Sequence, residues 1–339
     1  MGQRSISLKN IDFAKGPVDS LHHDYYLWRG KNIEDKRLFL VFSSRGAGPG
    51  EFSFFKTFDA LNVNVLHVTP SDFSWYQKGL VGLGSDLPSA FKALSDRIDN
   101  FCIYHKIKQI ICVGASMGGY GALIYGALSS RKIKTTLILF GTETILKLPY
   151  SKSSESEFDI LKKFKDVRFL DYSDLDVNMI FGEFDIVDTY CALSMRHDRN
   201  FSFFSCTSAS HVVPEYLNRQ IGIVNFFTDF LSGGRSFIGR GHIASELYPE
   251  DISPLLFSKQ FTEEYNNALL CCLKKYPSFG FAWNRLGVYL HNIGDLAGSL
   301  AALKRAFFIN PDYPNTIEHL NSVRNKLKTF SFYVYLCEE

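Results

Sequence analysis

A serine between glycines is the first residue that could do chemistry. It lies in Gly114-Ala115-Ser116-Met117-Gly118, after an apolar, strand-like run and before a helix-like stretch. A sharp turn between a strand and a helix exposes the serine oxygen, and the N–H groups that begin the helix face a negative charge developing beside it. We interpret Ser116 as a nucleophile and the N–H of Met117 as part of an oxyanion hole. The alternative is a small residue in a glycine-rich bend.

A serine hydroxyl needs a histidine to accept its proton and an acid to orient that histidine. We expect both downstream, in the order serine, acid, histidine. Asp185, in the turn Gly-Glu-Phe-Asp, is our first choice for the acid. Asp188 is the alternative, and its other role would be to cap the following helix. His211 in a polar loop is the favoured base, with His197 as its competitor.

The oxyanion hole needs a second N–H, from the loop after the first long strand. That loop is rich in glycine and spans residues 43–55. We expect the donor to be the N–H of Ser44 or of Arg45. The Arg45 side chain could also hold an anionic group of the substrate, or it could simply lie on the surface.

Two adjacent aromatic residues, Trp75 and Tyr76, follow the next strand-like run. Aromatic rings can stack on the flat faces of sugars, so these residues could form a substrate-binding wall. The alternative is that both rings only pack the loop that carries them.

Short apolar runs alternate with helical stretches from about residue 36 to residue 228. Such alternation predicts an α/β fold with a mostly parallel, doubly wound sheet, because parallel strands need crossover helices. Residues 6–14 and 22–30 could add an antiparallel edge hairpin. The strand candidates are 37–43, 63–68, 108–114, 135–140, 177–182 and 201–206, and the helix candidates are 84–105, 118–129, 155–165 and 212–231.

The composition changes at a glycine-rich stretch, so we predict a domain at 1–232, a linker at 233–245 and a small all-α domain at 246–330. The last part has the spacing of tetratricopeptide repeats, each a helix, a tight turn and a second helix. We expect it to dock a protein partner; a plain helical bundle is the alternative. The residues that carry the spacing are Trp283, Leu286, Gly287, Gly294, Leu303, Ala306 and Pro311.

Composition argues against several classes of protein. The 339 residues carry a net charge of +2 and form no long basic face, so we expect no nucleic-acid partner. No apolar run is long enough to span a membrane and the start lacks a signal peptide's apolar core, which predicts a cytoplasmic protein. Seven cysteines without a C-x-x-C pair argue against a disulfide framework, and the histidine spacing argues against a metal site.

Residues 36–232 resemble the α/β-hydrolases through Gly-Ala-Ser-Met-Gly, the Gly-Glu-Phe-Asp turn and the Ser-His-Val-Val loop. A second likeness, in the stretch after Ser116 and in the loop with Trp75, is to bacterial glycan-modifying hydrolases, including accessory Sec secretion proteins. The resemblance implies a serine esterase or deacylase that acts on an acylated carbohydrate, with no metal and no cofactor. Two alternatives stay open: a non-catalytic adaptor on the same fold, and an acyltransferase with the same triad.

Overall fold

A computed structural model describes residues 15–18, 21–32, 34–155, 157–196, 200–234 and 246–337. The described residues form a seven-stranded sheet in the order β1-β3-β2-β4-β5-β6-β7. This arrangement confirms the mostly parallel sheet that the sequence predicts. The strands are β1 (Tyr26–Arg29), β2 (Arg37–Phe42), β3 (Asn64–Val68), β4 (Gln109–Ala115), β5 (Lys134–Phe140), β6 (Asp176–Gly182) and β7 (Phe201–Cys206).

α-Helices lie between several of these strands, and in the described residues after β7 every regular element is a helix. No helix in the described ranges combines the length and hydropathy needed to cross a bilayer. The helices are α1 (Phe55–Ala60), α2 (Leu87–His105), α3 (Met117–Leu128), α4 (Ile186–Leu193), α5 (Val213–Ile221), α6 (Ile223–Leu231), α7 (Pro249–Phe257), α8 (Glu263–Lys275), α9 (Gly280–Asn292), α10 (Leu296–Ile309) and α11 (Pro314–Cys337).

Strand β2 pairs in parallel with β3 on one side and with β4 on the other. Leu40 therefore lies opposite Leu66 and Cys112, and all three side chains are buried. Burial on both faces explains why these strands read as continuous apolar runs. Strand β1 adds an antiparallel edge to β3, so the predicted edge strand within 22–30 is present. Its predicted partner, 6–14, lies outside the described residues.

Two predicted helices differ in the structure. Among the described residues of 155–165 there are only short 3-10 turns, because side chains elsewhere bond the backbone. The Tyr120 hydroxyl donates to the Phe164 carbonyl (2.6 Å), and the Leu161 N–H donates to Gln77 Oε1 (3.1 Å). The stretch 212–231 is broken into α5 and α6 at Gly222, whose φ of 79° cannot continue a helix.

The chain divides into two compact units. The first comprises Met1–Leu139 and Ser156–Asn178, and the second comprises Phe140–Glu155 and Met179–Glu339. Helices α7 to α11 therefore belong to the same unit as the loops that follow β6 and β7. The predicted bounds 1–232 and 246–330 stay predictions, and most of the predicted linker lies outside the described residues.

Helices α9 and α10 of the second unit form the predicted helical hairpin. Gly294 makes the turn between them with a φ of 89°, and the Asp295 side chain caps α10 by accepting from the Gly298 N–H. The Ser299 hydroxyl donates to the Gly287 carbonyl (2.7 Å) across the hairpin, where only glycine leaves room for the Leu303 side chain. The helix–turn–helix is confirmed, whereas its classification as a tetratricopeptide repeat stays a prediction.

Candidate active site

Ser116 occupies the sharp turn between β4 and α3. Its φ of 53° and ψ of −120° belong to a region that side chains other than glycine rarely adopt. Such backbone strain costs roughly 1 to 3 kcal/mol and concentrates at functional sites. Ser116 stands at the N-cap position of α3, yet its side chain makes no capping hydrogen bond to the helix. The serine hydroxyl is therefore not used to cap α3.

Two glycines allow this turn. A Cβ atom at Gly114 would lie 2.1 Å from the Gly118 carbonyl oxygen, and one at Gly118 would lie 2.3 Å from the Phe42 carbonyl oxygen. Both obstacles are backbone atoms, which cannot rotate away as a side chain can. The close approach of β4, α3 and β2 therefore requires glycine at both positions, as the motif predicts.

Met117, whose N–H is predicted to form part of the oxyanion hole, is the first residue of α3. The first N–H groups of a helix have no partner within it, so they suit an anionic ligand. In the loop 43–55, the Ser44 N–H donates to Ser53 Oγ (2.9 Å), which occupies one of the two donors that the sequence predicts. Arg45, the other predicted donor, is half-buried in the same loop.

The predicted sugar-stacking wall is wrong. Trp75 and Tyr76 are both 0% exposed, so neither ring offers a face to a ligand. The Tyr76 hydroxyl donates to the Ser43 carbonyl (2.8 Å), and its ring fills the space beside Gly121. Trp75 packs edge-on against Tyr120, with ring centroids 5.8 Å apart. The alternative role, packing of the loop, describes both residues.

In the second unit, His211 forms a close pair with Asp188. Its Nδ1 lies 2.9 Å from Asp188 Oδ2 and 3.1 Å from Oδ1. The Asp188 side chain is fully buried, and that of His211 is 16% exposed. The structure therefore places the alternative acid, and not the first choice, against the predicted base. The competing base, His197, lies outside the described residues.

Asp185 caps helix α4 instead. Its Oδ1 accepts hydrogen bonds from the N–H groups of Val187 and Asp188, both at 3.0 Å. Asp185 thus has the capping role that the sequence offered as the alternative for Asp188. The error comes from placing the start of α4 a few residues too late: the residue directly before a helix is the one whose carboxylate its N–H groups engage, and that residue is Asp185.

Glu143 is a buried acid beside this pair that sequence reasoning missed. It follows β5, is 1% exposed, and accepts from the N–H groups of Lys152 (2.6 Å) and Ser153 (3.2 Å). Burial, partly opposed by the bond with Ser153, and the charge of Asp188 raise its pKa to about 7. A carboxylate directly after the strand-like run 135–140 was the signal that could have identified it.

Gly141 brings the Glu143 segment close to the pair. Its φ is 50°, and a Cβ there would lie 2.6 Å from the His211 carbonyl oxygen and 2.8 Å from Asp188 Oδ2. A side chain at this position would collide with both members of the pair. Backbone from the β5 loop therefore covers Asp188, and Glu143 enters two residues later.

The negative charges around His211 govern its protonation. Burial alone would lower the pKa of His211, but the charge and hydrogen bond of Asp188, then the charges of Asp185 and Glu143, raise it to about 9. Burial and the charge of Asp188 in turn raise the pKa of Asp185 to about 6. The site therefore stabilises the imidazolium form of His211, the form that a general base adopts after it accepts a proton.

One group among the described residues could surround a metal ion. It consists of Asp185, Asp188 and His211, whose ligand atoms lie within 4.8 Å of one another. Each already has partners in the protein. Asp185 accepts two N–H groups of α4, and Asp188 bonds His211. The donor set fits an acid–histidine pair beside a helix cap, and we assign no cofactor to it.

No protein-family profile and no curated relative matches this sequence. Among solved structures, MenH from S. aureus is 16% identical, covering 62% of this chain and 98% of that chain with a TM-score of 0.39. A monoacylglycerol lipase from Paleococcus ferrophilus is 12% identical, with coverages of 62% and 98% and a TM-score of 0.42. A lipase-esterase related protein from Clostridium acetobutylicum is 14% identical, with coverages of 62% and 99% and a TM-score of 0.41. The fold described above rests on the strand order and on the turn at Ser116, and not on these distant similarities.

Proposed function

We propose that the protein is a serine hydrolase that cleaves ester bonds, with Ser116 as nucleophile, His211 as general base and Asp188 as the acid that orients His211. The observation that carries the proposal is the strained turn at Ser116, where the serine side chain makes no capping hydrogen bond to the helix that it precedes. The Asp188–His211 hydrogen bond supports it independently, because a serine nucleophile needs such a pair. Asp188 takes the role that the sequence favoured for Asp185.

In the proposed reaction, Ser116 Oγ attacks the ester carbonyl carbon while His211 Nε2 takes its proton. The carbonyl oxygen becomes negatively charged and accepts hydrogen bonds from the backbone N–H groups of Met117 and Arg45. His211 then returns the proton to the leaving alcohol, and water repeats the sequence to release the acid and free Ser116. Each oxyanion donor contributes roughly 3 to 4 kcal/mol of transition-state stabilisation.

Asp188 suits the role of orienting acid because of its burial and its partner. A carboxylate against Nδ1 holds the proton on that nitrogen, so that Nε2 keeps the lone pair that the reaction needs. The same carboxylate favours the imidazolium that forms during attack. The raised pKa of His211, about 9, is the electrostatic expression of this preference.

The acylated carbohydrate predicted as substrate stays a prediction, and the buried rings of Trp75 and Tyr76 give it no support. We therefore propose activity on small acyl esters first. Arg45, half-buried in the loop 43–55, is the proposed contact for an anionic group of the substrate. Acyl transfer would use the same residues, and only the acceptor would differ.

Hydrolysis of p-nitrophenyl acetate tests this proposal. We expect turnover by the wild type and a loss of about 10⁴-fold or more in Ser116→Ala, since the members of a triad act as a unit. Ser129→Ala, at the opposite end of α3, is the matched control and should keep wild-type turnover. A Ser116→Ala variant that retained its activity would contradict the proposal. Added sugar acceptors that yield a new ester would identify transfer.

A further inference from the structure

The turn that precedes Asp185 is covered by the C-terminal helices. The ring of Phe184 stacks on the ring of Tyr313, with centroids 3.7 Å apart and planes 21° apart. Gly280, at the start of α9, lies against the same ring: a Cβ there would be 3.3 Å from Phe184 Cζ. Phe184 is consequently only 6% exposed. We call residues 183–188 the acid turn.

The loop that carries His211 is bonded to the same helices. Asn310, at the end of α10, is fully buried, and its Nδ2 donates to the Thr207 carbonyl at 2.5 Å. Thr207 lies four residues before His211. Asn310 also fills the space beside Gly280, where a Cβ would overlap its side-chain oxygen. We call residues 207–211 the base loop.

The acid turn is also bonded to the base loop and to Cys206, the residue directly before it. The Phe184 N–H donates to the Ala209 carbonyl (2.9 Å), and the Glu183 N–H donates to the Cys206 carbonyl (3.1 Å). A Cβ at Gly182 would lie 2.3 Å from the Ser210 carbonyl oxygen. A displacement of Phe184 would therefore be transmitted to the backbone immediately before His211.

Helix α4, which carries Asp188, makes a third contact with the C-terminal helices. Tyr190 on α4 meets Phe257 at the end of α7 edge to face, with ring centroids 5.9 Å apart. The Tyr150 hydroxyl donates to the next carbonyl, that of Ser258, at 3.3 Å. The C-terminal helices thus contact helix α4, the acid turn and the base loop.

We propose that the C-terminal helices position the acid–base pair, with Tyr313 and Asn310 as the positioning residues that hold the acid turn and the base loop. This inference rests on the proposed function, in that Asp188 and His211 are the catalytic pair. It gives the helices a role inside the enzyme, whereas the sequence predicts only a docking module for a partner.

The expected consequence is a loss of rate greater than the loss of binding. A misplacement of a catalytic group by about 1 Å can lower the rate by about 100-fold. Tyr313 and Asn310 are assigned no contact with the substrate, so the KM for a small ester should stay near the wild-type value while kcat falls. A purely structural role would instead lower the temperature of unfolding and leave both constants of the folded protein unchanged.

The test compares Tyr313→Ala with Tyr313→Phe in the full chain. For p-nitrophenyl acetate we expect Tyr313→Ala to lower kcat by about tenfold or more with KM within about twofold, and Tyr313→Phe to retain kcat because the stacked ring remains. Phe308→Ala is the matched control: Phe308 lies on α10, is 77% exposed, and should be silent. An unchanged kcat in folded Tyr313→Ala would overturn the proposal.

A second readout does not depend on turnover. The groups that face His211 are Asp188, Asp185 and Glu143. Burial, together with the nearby charge of Asp185, raises the pKa of Tyr313, which places Tyr313 close to one of these groups. In an NMR titration of the imidazole, Tyr313→Ala should move the His211 midpoint toward its ordinary value of 6.5, because the pair loosens. An unchanged His211 midpoint in Tyr313→Ala would overturn the positioning role. A wild type without activity toward esters would contradict only the proposed function, and the titration would still test the positioning role.

Asn310→Asp is the variant to use if Tyr313→Ala does not fold. It keeps the size of the side chain but removes the N–H that donates to Thr207. We expect the same pattern, a lower kcat with an unchanged KM and a shifted His211 midpoint. Wild-type values for both in the folded variant would overturn the role assigned to Asn310.

Discussion

Replacing each of the two aspartates by asparagine separates the acid from the helix cap. Asp188 places both of its oxygens within 3.1 Å of His211 Nδ1, whereas Asp185 Oδ1 accepts two N–H groups of α4. Asparagine keeps the shape of either side chain. At the cap it also keeps the function, since asparagine and aspartate cap helices equally well.

The expected magnitudes differ widely. In Asp188→Asn the amide NH₂ can face Nδ1 and move the imidazole proton to Nε2, which then cannot accept the proton of Ser116. Loss of the correct tautomer lowers kcat by about 10⁴-fold, or about 5 kcal/mol in the barrier. In Asp185→Asn the cap remains and only a neighbouring charge is lost, so kcat should fall by less than about fivefold.

The assay is the steady-state hydrolysis of p-nitrophenyl acetate by both variants, with thermal unfolding as the check on folding. The reasoning is refuted if Asp185→Asn loses the larger share of activity while folded Asp188→Asn stays within tenfold of the wild type. That result would return the acid to the residue that the sequence favoured.

The remaining predictions concern pH and packing. Because His211 must be neutral to act as a base and its pKa is raised to about 9, the kcat/KM of the wild type should increase as the pH rises toward 9. Glu143→Gln removes one of the charges that raise this pKa, so the rise should move to lower pH; a profile that stays in place would contradict the role of that charge. Gly118→Ala should destabilise the fold by about 3 kcal/mol or more in chemical denaturation, because its Cβ would meet the Phe42 carbonyl. Gly48→Ala, whose Cβ meets only a side-chain atom at 3.7 Å, should change stability little, and equal losses would show that the close approach is not the cause.

The sheet could be predicted from the sequence because its strands are buried on both faces. Five of the six predicted strands, such as 63–68 for Asn64–Val68, agree with the structure within one residue at each end, and the sixth, 201–206, agrees at both. Apolar runs bounded by turn residues carry this information locally. The strand–turn–helix around Ser116 could also be predicted, because its glycines and its flanking elements are adjacent in the chain.

The choice between Asp185 and Asp188 could not be made in this way. The two residues are three positions apart, and which of them faces His211 depends on where α4 begins and on a loop that returns to it from β7. Periodicity locates such boundaries only within a few residues. An error of that size is enough to exchange the residue that caps α4 and the residue that pairs with His211.

The packing of Trp75 and Tyr76 and the contacts of the C-terminal helices could not be predicted, because they depend on residues that are distant in the chain. Trp75 and Tyr76 are followed by polar residues, and only the space beside Gly121, far along the chain, shows that Tyr76 is packed inward. Similarly, nothing within the Gly-Glu-Phe-Asp turn indicates that Phe184 stacks on Tyr313. Contacts between residues so far apart in the chain leave no periodic signal in the sequence.

The central claim is that Ser116 is an activated nucleophile. The most direct measurement is the intact mass of the protein after treatment with a fluorophosphonate, for the wild type and for Ser116→Ala. We predict a single adduct on the wild type, located on Ser116 by peptide mapping, and none on the variant. An unmodified, folded wild type, or an adduct that persists in Ser116→Ala, would contradict the account.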